Sequence, residues 1–355
     1  MILFYFSIAI VVGLIVLNYI YRARGYRGPR SDHFNGRHFH NIFLGTVNDI
    51  SYTVPLVEQF PRLSFALKKI RTTWKPRPLP QGKTIPQKRV FGKDIVVTYV
   101  NHSTVLIQTE GLNILTDPIW SHRASPLPFF GPKRYMDPGV DLHKLPPIDF
   151  ILLSHNHYDH MDLWTLRQIV RGHDPLIYTT LGNKKYLASY GIHNTVELDW
   201  GHSVRFSDLV SIDCVPAQHF SARAISDRRK TLWGGFVIRL LHGDIYFAGD
   251  TGYGPHISHI QKMYPDGFRF GLLPIGAFEP RLYMKTYHTG PDEAITIYKD
   301  LSVRRAMPIH FGTFDLSLEA QDVPVDRLST LLELEENKDV RFDVLHNGMT
   351  LTVED

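Results

Sequence analysis

The sequence predicts an α/β protein in which two β-sheets lie face to face and helices cover their outer sides. Two observations favour this class. From Asp94 onward, short apolar runs rich in β-branched residues form an antiparallel meander. After Ile148, strand-like runs alternate with segments of helical period, and the same succession returns in the second half of the chain. Because such elements are apolar on one side, they bury that side by stacking in layers.

The first residues predict a membrane anchor. No charged residue occurs from Ile2 to Tyr21, and Asn18 is the only strongly polar side chain there. About 20 helical residues cross the core of a bilayer, so residues 1–21 are predicted to span the membrane. The positive-inside rule then places the body on the cytoplasmic side, because the next residues include Arg22, Arg24, Arg27 and Arg30. A cleavable signal peptide is the alternative, but no positively charged segment precedes the apolar run and no cleavage site closes it.

Residues 22–90 are predicted to be a basic, proline-rich linker with short helices, because they combine scattered Gly, Pro, Arg and Lys with weak periodicity. An apolar helix around Val54 to Ile70 is expected to pack on the body, with a position on the membrane surface as the alternative. The net charge of +4 is weighted toward the N-terminal part, which favours attraction to an anionic surface over nucleic-acid binding. The single cysteine, Cys214, excludes an internal disulfide and a thiolate-rich metal site.

Residues 91–355 are predicted to be the catalytic domain. After three strands comes a loop rich in Pro, Gly and aromatic residues, from Pro118 to Pro147. A loop of this length without regular structure usually has a function, such as forming the wall of a pocket. The predicted strands are 95–100, 104–108, 112–116, 148–154, 176–178, 204–206, 210–215, 231–240, 245–248, 270–275 and 305–309, and the predicted helices are 163–170, 183–190, 256–263, 291–299 and 325–335.

The stretch Ser154 to Asp162 contains three histidines and two aspartates directly after a predicted buried strand. Imidazole and carboxylate groups are ligands that suit zinc and related metals. Along a turn that leaves the strand, His155 and His157 can face one ion, while Asp159 and His160 reach a second. The spacing therefore indicates two metals rather than one. A histidine-rich surface loop is the alternative interpretation.

Three later residues have the same setting, since each follows an apolar strand: His219, Asp250 and His310. Strands that end at one rim of a sheet bring such residues together. Taken singly, each is a common kind of polar residue at a strand end. Together with the histidine cluster, they predict one site.

This series of residues resembles the metallo-β-lactamase superfamily of dinuclear zinc hydrolases, whose fold is a four-layer αββα sandwich with the site at one edge of the sheets. The flanking segments are more specific. They resemble the N-acylphosphatidylethanolamine-hydrolysing phospholipase D family over about Val97 to His346. The segments that carry this resemblance are Thr116–Ile119, Arg123–Pro126, Gly131–Tyr135, Leu145–Asp149, Glu197–Trp200, Phe247–Tyr253, Pro274–Arg281 and His310–Phe314.

The resemblance implies a ligand set for two zinc ions. One ion would be held by three histidines, the other by an aspartate and two histidines, and one further aspartate would bridge both. In this order the residues are His155, His157 and His219, then Asp159, His160 and His310, then Asp250.

The resemblance also implies two contacts to the substrate. His288 matches a histidine that contacts the substrate phosphate, although a polar residue flanking a helix is the alternative. Tyr158 matches a tyrosine that contacts the substrate. Asp117 is expected to accept an imidazole N–H of a metal ligand, with a turn residue before Pro118 as the alternative.

The predicted function is that of a membrane-anchored zinc phosphodiesterase that hydrolyses N-acylphosphatidylethanolamine, a membrane phospholipid, to N-acylethanolamine and phosphatidic acid. Two zinc ions sharing a carboxylate would lower the pKa of a water molecule between them. No nucleic-acid partner is expected, and the resemblance implies a homodimer. One alternative is another hydrolase of the same fold: a lactonase, a thioesterase or a nucleic-acid phosphodiesterase. A second is a membrane-tethered binding module without activity, which would predict lost ligands, whereas none is missing.

Overall fold

In a computed structural model, the structure describes residues 12, 13, 15–42 and 74–354 of the chain. Within these residues the strands form two sheets. The strands are β1 (Ile95–Asn101), β2 (Thr104–Thr109), β3 (Leu112–Thr116), β4 (Phe150–Leu153), β5 (Leu176–Thr180), β6 (Thr195–Leu198), β7 (Ser203–Arg205), β8 (Ser211–Val215), β9 (Gly235–Arg239), β10 (Ile245–Phe247), β11 (Phe270–Pro274), β12 (Ala306–Ile309) and β13 (Thr350–Val353). One sheet has the order β13-β1-β2-β3-β4-β5-β6, and the other has the order β12-β11-β10-β9-β8-β7.

Helices cover the outer sides of both sheets. Within residues 74–354 the helices are α1 (Leu163–His173), α2 (Lys184–Ala188), α3 (His256–Met263), α4 (Arg281–Met284), α5 (Pro291–Asp300) and α6 (Val323–Leu332), with short 3-10 turns at Leu142–Lys144 and Glu335–Asn337. Helices α1 and α2 cover the first sheet through Leu166, Ile169 and Leu187. Helices α3 and α5 cover the second sheet through residues such as Ile260 and Ile297.

The main core lies between the two sheets. Val97, Ile107, Ile114 and Phe150 are successive cross-strand partners from β1 to β4, and all four belong to this core. Residues such as Phe236 meet them from the second sheet. Fully burying a side chain of this size contributes about 1.5–3 kcal/mol to folding. The predicted stacking of two sheets between helices is confirmed.

The direction of the strands creates one polar rim. Strands β1, β3 and β4 run the same way, because β2 is antiparallel to β1 and β3, and β3 is parallel to β4. In the second sheet β8, β10 and β12 also share a direction. The rims of the two sheets are joined where His310 N donates to His102 O at 2.9 Å and Gly234 N donates to Ser154 O at 3.0 Å. Residues that follow these strands therefore meet at one edge.

The predicted membrane span requires a correction. Residues 1–11 and 14 lie outside the described residues, and residues 15–21 are helical. Across the part of the chain that the structure describes, no helix has both the length and the apolar character needed to cross a bilayer. This finding overturns the predicted single-pass placement with its cytoplasmic catalytic domain. The end of the helix is instead tied to the body, since Asn18 Nδ2 donates to Ser226 Oγ at 2.9 Å and Ala23 N donates to Asp227 Oδ2 at 2.6 Å.

The segment 22–42, part of the predicted linker, packs closely against the domain. Tyr26 N donates to Lys230 O and Phe39 N donates to Arg229 O, each at 2.8 Å. Phe39 is fully buried in a small apolar cluster that also contains Trp233. This packing differs from that of a free linker, because buried aromatic residues fix the segment in place. The helix predicted around Val54 to Ile70 lies outside the described residues.

Candidate metal centre

The histidine cluster leaves β4 as a tight turn. His160 N and Met161 N both donate to His157 O, at 3.2 and 2.9 Å. Asp162, the last acidic residue of the cluster, caps helix α1 by accepting hydrogen bonds from Trp164 N at 3.2 Å and Thr165 Oγ1 at 2.6 Å. The turn and the cap together hold the side chains between them at the polar rim. The Asp162 carboxylate is therefore used to cap the helix, whereas the other acidic side chain of the cluster, Asp159, faces the site.

Three histidines bring one nitrogen each to a common point. His155 Nε2 lies 2.8 Å from His157 Nδ1, and His219 Nε2 lies 3.2 Å from the same His157 atom. His219 comes from the loop between β8 and β9, so this group joins the two sheets. His155 and His219 are buried, with 1% and 0% of their surface exposed.

A second group forms beside the first. His160 Nε2 and His310 Nε2 each lie 3.3 Å from Asp159 Oδ2. Asp250 Oδ2 lies between the groups, at 3.1 Å from His160 Nε2 and 3.7 Å from His219 Nε2. The structure thus brings together all seven residues for which the sequence implies a metal-binding role, with Asp250 in the central position.

Hydrogen bonds outside the centre set the tautomers of the histidines. Asp117 Oδ2 accepts from His160 Nδ1 at 2.7 Å and from Ser154 Oγ at 2.6 Å. Because the Ser154 hydroxyl donates to Asp117, His155 Nδ1 donates to Ser154 Oγ, at 2.9 Å. His219 Nδ1 donates to a backbone carbonyl, at 3.0 Å from Tyr287 O. In these three histidines the Nε2 lone pair therefore faces inward, as metal binding requires.

The two groups differ in their electrostatics. Burial lowers the pKa of His157 and of His219 to about 3, so both are neutral imidazoles. Although burial opposes it, the carboxylates of Asp250 and Asp159 raise the pKa of His310 to about 9. The same carboxylates, with Asp117, hold the pKa of His160 well above its usual value despite burial. The carboxylates therefore attract positive charge, and a bound metal would displace these protons.

The residues fit a divalent metal. His160 Nε2, His310 Nε2 and Asp250 Oδ1 are buried and have no hydrogen-bond partner among the described residues. An unsatisfied buried polar atom costs about 1–3 kcal/mol, and a metal ion would satisfy several of them at once. A set of imidazole and carboxylate donors in which histidines predominate suits zinc and related divalent metals.

His288 lies beside the centre, in the loop between α4 and α5. Its Nδ1 is buried without a hydrogen-bond partner among the described residues, 3.9 Å from Asp250 Oδ2. Its ring centroid is 5.0 Å from that of His219. His288 is thus close enough to reach either a metal or a group bound next to one.

Tyr158 forms part of the wall of a cavity of about 550 Å³. Its hydroxyl donates to Arg223 O at 2.8 Å, and the Arg223 guanidinium stacks on its ring at 3.8 Å from the centroid. The other walls are aromatic and basic, and include Trp120, Arg123, Trp164, Arg167 and Tyr190. Residues 120–123 and 125–128 of the long loop line one side, which is the position expected for a loop that forms a pocket wall.

Two residues at the site were missed by the sequence reasoning. His102 Nε2 lies 3.0 Å from Asp159 Oδ2, and the residue follows β1 as the candidate ligands follow their strands. The same strand-end signal could have found it. Arg223 carries no comparable signal, because an isolated arginine in a loop is common.

Comparisons with known proteins show the family and the fold of this chain. Residues 112–311 match the family model described as the beta-lactamase superfamily domain. A solved structure of an isothiocyanate hydrolase from Delia radicum gut bacteria superimposes with a TM-score of 0.58 at 20% identity, covering 72% of this chain and 98% of the other, which shows the shared fold. The fold and the donor set define a metal-dependent hydrolase of the metallo-β-lactamase superfamily.

The sequence relatives are more specific. The N-acyl-phosphatidylethanolamine-hydrolyzing phospholipase D 1 of Caenorhabditis elegans is 37% identical over 284 residues, which cover 75% of this chain and 79% of the relative. The mitochondrial protein of the same type from Saccharomyces cerevisiae is 35% identical over 246 residues, which cover 66% of this chain and 51% of the relative. This chain belongs to the N-acylphosphatidylethanolamine-hydrolysing phospholipase D family.

Proposed function

We propose that the protein is a dinuclear zinc phosphodiesterase of phospholipase D type, which hydrolyses N-acylphosphatidylethanolamine to N-acylethanolamine and phosphatidic acid. One observation carries the proposal: seven nitrogen and oxygen donors converge in two groups, and Asp250 lies between them. The family relationship supports the choice of substrate.

The donors divide into two sets under this proposal. His155, His157 and His219 would hold one ion, and Asp159, His160 and His310 the other. Asp250 would bind both, because its Oδ2 is within 3.9 Å of His155 Nε2 and 3.2 Å of His310 Nε2. When bound, two zinc ions would lower the pKa of a water molecule that they hold and would offset negative charge on the phosphoryl group.

The remaining residues would orient the substrate. His288 has a free Nδ1 beside Asp250, so its ring is placed to contact a phosphate oxygen. Asp117 keeps the lone pairs of His155 and His160 directed inward through the bonds described above. In the reaction, a bond forms between water oxygen and phosphorus while the bond from phosphorus to the ethanolamine oxygen breaks, and the water proton passes to the leaving oxygen.

The cavity supports a lipid substrate. Its wall includes Tyr158, which lies between two candidate ligands in the chain, although none of the seven candidate ligands lines the cavity itself. Aromatic residues such as Trp120 and Trp164 suit an acyl chain. The cavity also contains three arginines. Arg223 is 7% exposed, and its Nη1 donates only to backbone carbonyls, those of Asn156 and Met161, in the described residues. Apolar walls with a buried positive charge fit an anionic amphiphile.

The test is hydrolysis of a defined N-acylphosphatidylethanolamine, dispersed in detergent, in water enriched in oxygen-18. We expect the label in phosphatidic acid and none in N-acylethanolamine, because the water oxygen joins phosphorus. An Asp250→Asn variant serves as the inactive control. The proposal fails if the zinc-loaded protein leaves this lipid intact but hydrolyses a lactone, a thioester or a nucleic-acid phosphodiester.

A further inference from the structure

We propose that His102 is a positioning residue for the second metal, holding both Asp159 and His310 in place. The inference rests on the proposed dinuclear centre and adds a residue outside the seven donors. It comes from two separate contacts of His102, one through its backbone and one through its side chain, which reach two different candidate ligands of the same ion.

The backbone of His102 fixes His310. His102 O accepts a hydrogen bond from His310 N at 2.9 Å, and it also accepts one from the Tyr99 hydroxyl at 3.0 Å. His102 N donates to Thr313 Oγ1 at 3.1 Å. These bonds hold His102 at a φ of 48°, a left-handed conformation that a residue other than glycine adopts only when its surroundings stabilise it. These bonds thereby attach the turn after β1 to the end of β12, which His310 directly follows.

The side chain of His102 touches Asp159. Its Nε2 lies 3.0 Å from Asp159 Oδ2, and the residue is 1% exposed. Its ring packs against that of His310, with centroids 4.2 Å apart, and meets the edge of Phe314 at 5.3 Å. The imidazole therefore has little room to rotate away from the carboxylate.

The tautomers identify the proton donor to Asp159. Three imidazole nitrogens surround Asp159 Oδ2: those of His102, His160 and His310. Neutral His160 already carries its proton on Nδ1, which donates to Asp117, so its Nε2 has none. His310 Nε2 must also lose its proton to bind a metal. His102 Nε2–H is then the donor that remains, and it directs one carboxylate oxygen of Asp159.

A direct role as a ligand is the competing interpretation of the same geometry. His102, Asp159, His160 and His310 each offer an atom within 4.8 Å of the others. The two interpretations differ in what can replace His102. A hydrogen-bond donor can be supplied by the amide of glutamine, whereas an amide is a poor substitute for an imidazole that binds zinc.

The experiment compares His102→Ala and His102→Gln in the full chain. Zinc binding to the metal-free proteins is measured by competition with a chromophoric chelator, and the cobalt-substituted forms are compared by their visible spectra. We expect His102→Ala to lower the affinity for one of the two metal ions by about 10- to 100-fold and to leave the affinity for the other unchanged. This is the size of effect seen for other groups that orient a metal ligand. We expect His102→Gln to restore most of this affinity. His193→Ala, at an exposed histidine far along the chain, is the matched control.

Two outcomes would overturn the inference. If His102→Ala binds both metals as the unmodified protein does, the His102 side chain does not position Asp159, and the inference fails. If His102→Gln binds as weakly as His102→Ala and both alter the cobalt spectrum equally, His102 is a ligand. If either variant fails to fold, Thr313→Val replaces it, because this change removes the acceptor of the bond from His102 N. We expect a smaller loss of affinity for the same metal. An unchanged affinity would contradict the proposal. Zinc affinity and cobalt spectra are measured without substrate. Failure to cleave the lipid would therefore contradict the proposed function but not the role of His102.

Discussion

Asp117 accepts the Nδ1 proton of His160 across 2.7 Å, and both side chains are fully buried. Through the Ser154 hydroxyl the same carboxylate also orients His155, so one residue sets a candidate ligand in each metal group. We expect Asp117→Asn to lower the affinity for both metal ions by about 10- to 100-fold. The reason is that the asparagine amide can present a donor where the histidine N–H needs an acceptor. Chelator competition measures this. Loss at a single metal would show that the connection through Ser154 has no effect.

The central carboxylate and the neighbouring histidine should separate metal binding from turnover. We expect Asp250→Asn to lose bound zinc as well as activity, since it removes the negative charge between the groups. We expect His288→Ala to keep its zinc and to lose about 10- to 100-fold in kcat/KM, the size of one hydrogen bond to a charged group. Elemental analysis and kinetics on the same preparations test this. Zinc loss in His288→Ala would assign that residue to the metals.

Metal removal should lower stability. A ligand that binds only the folded state stabilises it by about 2.7 kcal/mol at a concentration of 100 times Kd. We therefore expect the metal-free protein to unfold at a lower urea concentration than the zinc-loaded protein, and zinc addition to reverse the change. Equal unfolding midpoints with and without chelator would contradict a structural contribution from the metals.

The N-terminal segment should contribute to the metal site through Asn41. Its Oδ1 accepts from His219 N at 3.2 Å, and its Nδ2 donates to His219 O at 3.0 Å. Asn41→Ala removes both bonds and also the bond that Trp233 Nε1 donates to Asn41 Oδ1 at 3.1 Å. We therefore expect a loss of roughly 1–3 kcal/mol in stability and faster release of one zinc to a chelator. Asn35→Ala is the control, because the Asn35 side chain accepts from Arg37 N and His38 N within its own turn. Equal rates of zinc release from the two variants would show that the two hydrogen bonds from Asn41 to the His219 backbone are not needed to retain zinc.

His33 should make stability depend on pH. Its Nδ1 lies 2.6 Å from Asp32 Oδ1 and its Nε2 2.7 Å from Asp199 Oδ1, and its ring stacks on Trp200. Although burial opposes it, the bonds to Asp199 and Asp32 raise the pKa of His33 above 6.5. A raised pKa means that protonation of His33 stabilises the fold below pH 6.5, and that this contribution is lost as the pH rises through the folded pKa.

Urea unfolding at pH 5.5 and at pH 8.5 tests this relationship. We expect the free energy of unfolding of the unmodified protein to exceed that of His33→Gln by more at the lower pH, since glutamine does not titrate. A difference that stays constant over this range would show that His33 is neutral in the folded protein.

The sequence determined the central part of this protein. Alternating and apolar runs are local features, so the stacked sheets and most strands could be predicted. The spacing of His155, His157, Asp159 and His160 after a buried strand likewise indicated two groups of ligands. Strands β6 and β13 were missed, because β6 is half exposed and β13 is short and exposed along one side.

Only the tertiary structure decided how distant segments meet. Local hydropathy predicted that the first residues span a membrane, but it cannot register the bonds from Asn18 and Ala23 to a loop more than 200 residues later, at separations of 208 and 204. The same holds for His102, whose neighbour Asp159 is 57 residues away. Such contacts depend on which strand ends share a rim, and that is set by sheet order and by the packing of two sheets, not by any local pattern.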